Sequence, residues 1–399
     1  MSAPLDGVRV LDLSRLLPGP ACTLHLADLG ADVVKVEDTA AGDYARSLGL
    51  APPHGGNAPS AFFRMINRNK RSLSLDLKAD AGRGAFLRVA QRADVIVESF
   101  RPGVLDRLGI GYAAVAAINP RIVYCSITGY GQTGPYRDRP GHDINYLGYA
   151  GVLDQTGTAG GPPALSNLQV ADLLGGALNA STAILAALFA AAKTGNGTHV
   201  DVAMTEGSLA HNIFALHAIQ TFGRARARGS DLLTGGVPCY GIYATLDGRH
   251  LAVGALEHKF WRALCEVLER PDLIAGQLAT GREGEVVRQQ LAAIFAQQTR
   301  AQWVERLAAV DCCVTPVLSP DEMLDDPQVR ARDMIVTAAD GSRQYAPPFR
   351  LAGHAFAIVR AAPAQGEHSA EILREAGFSD EEIGSLADSG AIGEPGRAD

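Results

Sequence analysis

The chain has 399 residues, of which 47% are hydrophobic and 20% charged, and a formal net charge of −7. That length exceeds one ordinary core and predicts two or three domains with the composition of a globular protein. The acidic balance excludes nonspecific nucleic-acid binding, which needs a basic excess to neutralise phosphates, although a local basic cluster can still hold a small phosphorylated ligand.

Residues 8–13 read as a strand, Pro18-Gly19-Pro20 breaks it, and residues 21–29 carry a helical pattern. Residues 33–36 read as the next strand. The Gly/Pro/Asn-rich stretch 51–60 reads as an exposed loop. A strand-like run over 72–77 follows, then a helical pattern over 81–92 and strands over 95–97 and 122–127. Strands separated by helices of this length predict βαβ units and a parallel sheet. Ligands of such sheets bind beyond the carboxyl ends of the strands. From 142 to 161 the pattern is loose and loop-rich. The most apolar stretch, 173–192, is long enough to raise the question of a membrane span. Gly175, Gly176, Asn179, Ser181 and Thr182 punctuate it and alanine dominates, so a buried helix and no membrane association are expected. Residues 200–202 read as a strand and 206–222 as a second long helix. A linker is expected over 223–236, where Arg224, Arg226 and Arg228 alternate with small residues. Beyond it, 240–245 and 250–254 predict a hairpin, because Asp247-Gly248 favours a tight turn. Helices over 259–268 and 285–297 complete a second, smaller domain. From about 327 the chain is polar and irregular, with short helices near Ala370 and Asp380.

The six cysteines form no C-x-x-C pair, and Cys312 and Cys313 are adjacent. That suits neither a zinc site nor a disulfide framework, so reduced and mostly buried thiols are expected, with no metal. The N-terminus lacks a basic region, and Asp6, Arg9, Asp12 and Arg15 interrupt its apolar residues, so no secretory leader is expected and the cytoplasm is the default compartment.

The usual nucleotide signatures are missing: no G-x-x-x-x-G-K-[ST] occurs, and the glycine-rich run Gly129 to Gly134 has the wrong spacing for a dinucleotide fingerprint. Asn67-Arg68-Asn69-Lys70-Arg71 is a basic cluster ahead of a strand, which suits phosphate binding, although composition alone favours a solvated charge run. His142, in Gly141-His142-Asp143, can titrate near neutral pH, and Asp143 can orient its ring or cap a helix starting at Ile144. Asp172 stands at the mouth of a nearly chargeless helix, as a cap or as a catalytic carboxylate. Glu257 falls where a strand meets a helix. Each of the three has an ordinary structural reading when taken alone.

Taken together they carry a resemblance. The chain resembles the family III CoA-transferase superfamily, the group with carnitine CoA-transferases and formyl-CoA transferases, and looks most like its α-methylacyl-CoA racemase branch. The stretches that carry it are Pro18-Gly19-Pro20 with residues 28–35, Asn69-Lys70-Arg71-Ser72 with Asp76-Leu77-Lys78, Arg101-Pro102-Gly103, residues 129–135, Gly141-His142-Asp143-Ile144-Asn145-Tyr146, Gly195-Asn196-Gly197 and residues 253–257. The resemblance covers about residues 5–350. It implies an α/β fold with a Rossmann-like, CoA-binding large domain over 1–225, a small α+β domain over 226–328 and a C-terminal segment, 329–399, that returns to the large domain. It also implies an interlocked homodimer whose active sites use both chains.

By that resemblance Asp172 occupies the position of the transferases' nucleophile, and in racemases it pairs with a histidine, matching His142, supported by a glutamate, matching Glu257. Transferases generally lack the Gly-His-Asp-Ile-Asn-Tyr run, which points to a 2-methylacyl-CoA racemase. Moving a proton between the two faces of an α-carbon needs an acid–base group on each side. Backbone amides near Asp172 and Gly175 are the candidate donors to the enolate-like oxygen. A CoA-transferase with Asp172 as nucleophile is the second reading, and a noncatalytic CoA-binding protein the third. Leu75, Lys78, Phe100 and Arg107 fall where the family holds CoA. Many members place a phosphate-contacting arginine after the second strand, where Asp38 and Thr39 stand here; Arg46 or Arg68 and Arg71 are the expected substitutes. No cofactor is expected beyond the CoA moiety of the substrate.

Overall fold

The structure, a computed structural model, describes residues 3–48 and 59–393. Most of the loop expected over 51–60 lies outside them. Contacts divide the chain into two units. The first comprises residues 1–150, 168–211 and 330–399, and the second residues 151–167 and 212–329.

The first unit is built on six strands: β1 (Arg9–Asp12), β2 (Asp32–Glu37), β3 (Lys70–Ser74), β4 (Val95–Glu98), β5 (Val123–Thr128) and β6 (Thr198–Ala203). They pair in the order β3-β2-β1-β4-β5-β6, and every pairing is parallel. Helices cover both faces of such a sheet, so its strands read as runs of Val and Ile rather than alternating patterns. Val10, Leu11, Val34, Val95, Ile96, Val97, Val123 and Ile127 are all buried. Strand order reverses between β1 and β4, the switch point at which a doubly wound sheet opens a crevice.

Two features set the shape of the loop after β1. Gly19 opens the helix Pro18–Asp28 hard against Ser14, where an added Cβ would lie 2.1 Å from the Ser14 Cβ. Beneath it lies a buried polar network. Asp12 accepts from Thr23 Oγ1 at 2.6 Å, Lys70 Nζ at 3.0 Å and the Ser14 N–H at 3.0 Å. Lys35 pairs with Asp43 at 2.8 Å and donates to the Ser14 carbonyl. Burial alone would raise the Asp12 carboxyl, but Lys70 and Lys35 outweigh it and hold it down at about 2.

Three expectations change. Residues 142–161 are not a loop, since the helix Asp143–Tyr149 and the turn Val152–Gln155 occupy much of that span. The helix expected over 206–222 is two helices, Met204–His211 and Ile213–Phe222, broken at Asn212. The apolar helical run Ala171–Thr194 has a mean hydropathy of 1.7, yet only 33% of its most apolar window is buried. It is a one-faced helix, not a wholly buried one. Its small residues Ala177, Ala180, Ala187 and Ala191 pack inward with Ile184, while Leu185 and Phe189 remain exposed.

The second unit holds an antiparallel sheet in the order β7 (Tyr240–Ala244), β8 (His250–Gly254) and β9 (Val314–Pro316). The hairpin turns at Gly248, whose φ of +69° favours glycine. Trp261, Leu264, Leu291, Phe295 and Trp303 form the core against this sheet. Both indole N–H groups find carbonyls, Trp303 on Phe295 at 2.8 Å and Trp261 on Ile274 at 3.0 Å, so burying them costs no hydrogen bond.

Candidate active site

A cleft of about 1270 Å³ opens in the first unit, lined by residues that follow the carboxyl ends of four strands. Leu13, Arg15 and Leu16 follow β1, and Tyr44 and Leu48 follow β2. Ser99, Phe100, Arg101 and Pro102 follow β4, and Gly129 follows β5. His142, Asn145, Tyr146, Gln169 and Asp172 complete the wall.

His142 and Asp172 thus share one cleft, and a single buried side chain ties their segments together. His142 precedes the helix Asp143–Tyr149, where Asn145 Oδ1 accepts the His142 N–H at 3.0 Å. Asp143, 6% exposed, neither orients the His142 ring nor caps its own helix. Its Oδ1 accepts the backbone N–H of Asp172 at 3.0 Å. Asp172 begins a π-helical turn, Ala171–Leu178, a geometry concentrated at functional sites. Among the described residues no hydrogen bond or ion pair engages its carboxyl. Burial, and then the Asp143 charge, push that carboxyl up from 3.8 to about 7.

Close glycine contacts fix these segments. A Cβ on Gly175 would lie 2.5 Å from the Met204 carbonyl, and one on Gly207 would lie 2.4 Å from the Gly175 carbonyl, so the Asp172 turn and the helix Met204–His211 touch backbone to backbone. Gly129 and Gly141 flank the Tyr146 ring, where added Cβ atoms would come within 2.3 and 2.6 Å of it. Tyr146 donates to the Gly141 carbonyl, anchoring the residue before His142.

Two of the amides near Asp172, where donors to the enolate-like oxygen are expected, are taken. The Asp172 N–H goes to Asp143, and the Leu173 N–H donates to the Gln169 carbonyl at 3.0 Å. Gly175 packs against the Met204 carbonyl inside the helical contact. Among the side-chain donors on the cleft wall is Asn145 Nδ2. Its Oδ1 is committed to His142, and no described protein group accepts from Nδ2.

Glu257 lies in the second unit, exposed, at the start of the helix His258–Val267, and its side chain caps nothing.

The residues expected at CoA fall into three groups. Phe100 lines the cleft. Lys78 and Arg107 are exposed but do not line it, and Leu75 is wholly buried, with its N–H on the Glu37 carbonyl, so its side chain is core. Arg68 and Arg71 are struts, not phosphate ligands. Arg68, 3% exposed, grips Asp28 through two bonds of 2.6 and 3.0 Å and reaches Gln344 at 3.0 Å. Arg71 pairs with Asp32, Glu371 and Glu375. Arg46 is likewise committed, bidentate to Glu37 and stacked on Phe63. These acids already neutralise the three guanidinium groups, and those around Arg71 take all five of its N–H donors.

The cleft's own cations are Arg15, Arg101, Arg137 and Arg139. Asp38, standing where an arginine was sought, holds Arg15 at 2.7 Å, and the guanidinium rests over Tyr44 and Phe100. Arg139 lies over the Tyr136 ring and donates to Tyr149 Oη at 2.8 Å. None of the four is expected at CoA from the sequence, although Arg101 stands in a stretch that carries the resemblance. The signal available for Arg15 was its place just beyond a strand's carboxyl end.

The family profile described as CoA-transferase family III matches residues 5–369. An α-methylacyl-CoA racemase from Mus musculus is 38% identical over 384 residues, covering 95% of each chain. An acyl-CoA transferase from Fusarium pseudograminearum is 35% identical over 404 residues, covering 97% of this chain and 88% of its own. The crystal structure of a CAIB/BAIF family protein from Brucella suis superposes with a TM-score of 0.82 at 30% identity, over 94% of this chain and 100% of that one.

Proposed function

The chain belongs to CoA-transferase family III, and on that footing we propose that it racemises 2-methylacyl-CoA thioesters by removing and returning the α-proton. The observation that carries this is that His142 and Asp172 line one cleft, where burial, and then the Asp143 charge, push the Asp172 carboxyl up to about 7. A group held at about 7 exchanges a proton readily in either direction at physiological pH, which is what a two-base racemisation asks of it. One side chain takes the α-proton, the other delivers one to the opposite face, and the roles exchange with the handedness of the substrate. Asn145 Nδ2 serves the developing enolate oxygen. Phe100, Arg15 and Arg101 hold the CoA handle, with Arg107 and Lys78 at its outer phosphates.

The protein works as a homodimer in which Glu257 of the partner subunit approaches the proton-transfer pair. Supporting this are apolar side chains left open on each unit: Leu185 and Phe189 on the first, Ile213, Phe214, Leu216 and Phe222 on the second.

A CoA-transferase using Asp172 as nucleophile is the second reading, favoured by the free Asp172 carboxyl and by a transferase relative almost as similar as the racemase. Its weakness is electrostatic, since a carboxyl raised to about 7 is a less available anion than an ordinary aspartate. The deciding experiment follows a 2-methylacyl-CoA by NMR in D₂O, with and without an acceptor acid. Deuterium entering the α-position without acceptor supports racemisation. CoA moving to the acceptor with no α-exchange, and hydroxylamine trapping at Asp172, replaces it with transfer.

A further inference from the structure

Glu98 ends β4 and is an acid that the proton-transfer scheme leaves unused. It is 5% exposed, and no described lysine or arginine pairs with it. The charges acting on it come from Asp106, on the short helix Val104–Arg107, and Asp201, on β6; both are acids. Tyr124 and Cys125 of β5 also feel its charge, and neither supplies a cation. A buried carboxylate without a cation is costly, so burial pushes Glu98 up to about 7.

Its two hydrogen bonds run in different directions. Oε2 accepts the Phe100 N–H at 2.7 Å, closing a tight turn. The other bond is to the Ser126 hydroxyl on β5, and Ser126 Oγ lies 2.9 Å from His199 Nε2 on β6. His199 sits on the edge strand, exposed, stacked on Tyr112 at 5.1 Å. A hydrogen-bonded chain therefore joins Glu98 to the surface and gives its proton a way in and out. On the other side, residues 99–102 all line the cleft. Ser99 Oγ accepts the Arg15 N–H at 3.2 Å, and the Arg15 guanidinium lies over Phe100. One carboxyl group thus fixes the turn on which this wall of the cleft and its arginine rest.

We propose that Glu98 is a positioning residue that makes thioester binding pH-dependent: in either state its Oε2 accepts the Phe100 N–H and holds the 99–102 strap, and as an anion it places a negative charge behind the cleft wall that carries the CoA phosphates and weakens their hold. The proposal rests on the acyl-CoA reading above. Ionisation takes one proton from Glu98 to solvent through Ser126 and His199 and leaves the rest of the site as it was, so the effect belongs to KM and not to kcat.

The test measures kcat and KM for a 2-methylacyl-CoA across pH in wild type, Glu98→Gln and Ser126→Ala. Glutamine keeps an oxygen for the Phe100 N–H and cannot ionise. Wild-type KM is expected to rise roughly three- to tenfold above about pH 7, the size expected from one charge acting on phosphates through solvent. Glu98→Gln stays flat over the same range, while kcat follows one profile in both proteins. Ser126→Ala removes a bond that favours the anion, so its KM limb moves to higher pH. The second ionisation of the CoA phosphate, near pH 6, is common to all three proteins and cancels. Identical KM profiles in wild type and Glu98→Gln overturn the proposal, as does a Glu98 effect confined to kcat. Should the wild type turn over no acyl-CoA, the functional reading falls. Calorimetric Kd values for CoA itself at the same pH values, in wild type and Glu98→Gln, then decide the role of Glu98 separately.

Discussion

Asp143→Asn separates the two causes that hold the Asp172 carboxyl up. That carboxyl climbs from 3.8 to about 7, with burial the larger cause and the Asp143 charge the smaller, so the charge supplies less than half of the rise. Two carboxylates at the edge of a cleft repel by about 1–2 kcal/mol, which corresponds to about one pH unit. Asparagine keeps an Oδ1 to accept the Asp172 N–H, now bonded at 3.0 Å, so the substitution removes charge and preserves the tie. The assay is α-deuterium exchange into each enantiomer of a 2-methylacyl-CoA, followed by NMR as a function of pH. The limb belonging to Asp172 is expected near pH 7 in the wild type and near pH 6 in Asp143→Asn, with a plateau rate within about tenfold. A limb that stays at the same pH refutes the electrostatic role given to Asp143. A collapsed plateau with an unmoved limb would mean that Asp143 acts only by holding the backbone.

Asp172→Asn should lower α-exchange by about 10²–10⁴ with an unchanged melting temperature, because its carboxyl makes no protein bond that stability depends on; a large loss of Tm would contradict that. Arg15→Ala should raise KM for acyl-CoA about tenfold, the loss of a charged hydrogen bond, and leave Tm in place. Arg71→Ala should do the reverse, since it removes the buried centre of an ion-pair network and leaves Asp32 and Glu375 to Arg9 alone: about 1.5–3 kcal/mol of stability lost in urea titrations, with KM unchanged. Asp12 gives an acid limit. Its folded value of about 2 lies below the unfolded value of 3.8, so its contribution is complete above pH 3.8 and is lost as pH falls from there to about 2. Asp12→Asn should remove that part of the acid unfolding transition, at a cost of about 3–5 kcal/mol at neutral pH from the stranded Lys70.

What could be read from sequence here was whatever a short window determines. Val/Ile runs separated by helical patterns give the parallel sheet, because burial on both faces leaves that signature locally, and Asp247-Gly248 gives the hairpin for the same reason. Windows fail where a residue's meaning depends on a distant partner. Arg68 and Arg71 read as phosphate ligands or a solvated run, and they are neither. The acids that claim Arg71 include Glu371 and Glu375, at a separation of 300 residues or more that no local pattern registers. Arg15 was invisible because its role comes from Asp38 and Phe100, brought beside it by β2 and β4. Asp172 makes the point most sharply. Read alone it is a carboxylate that caps a helix. In the fold it is the Asp172 N–H that is capped, by Asp143 from another helix, and this is what leaves the Asp172 carboxyl unbonded, half-buried and facing His142's cleft. Its chemistry follows from the residue that does the capping in its place, and the distance between positions 143 and 172 in the chain is why only the folded structure could say so.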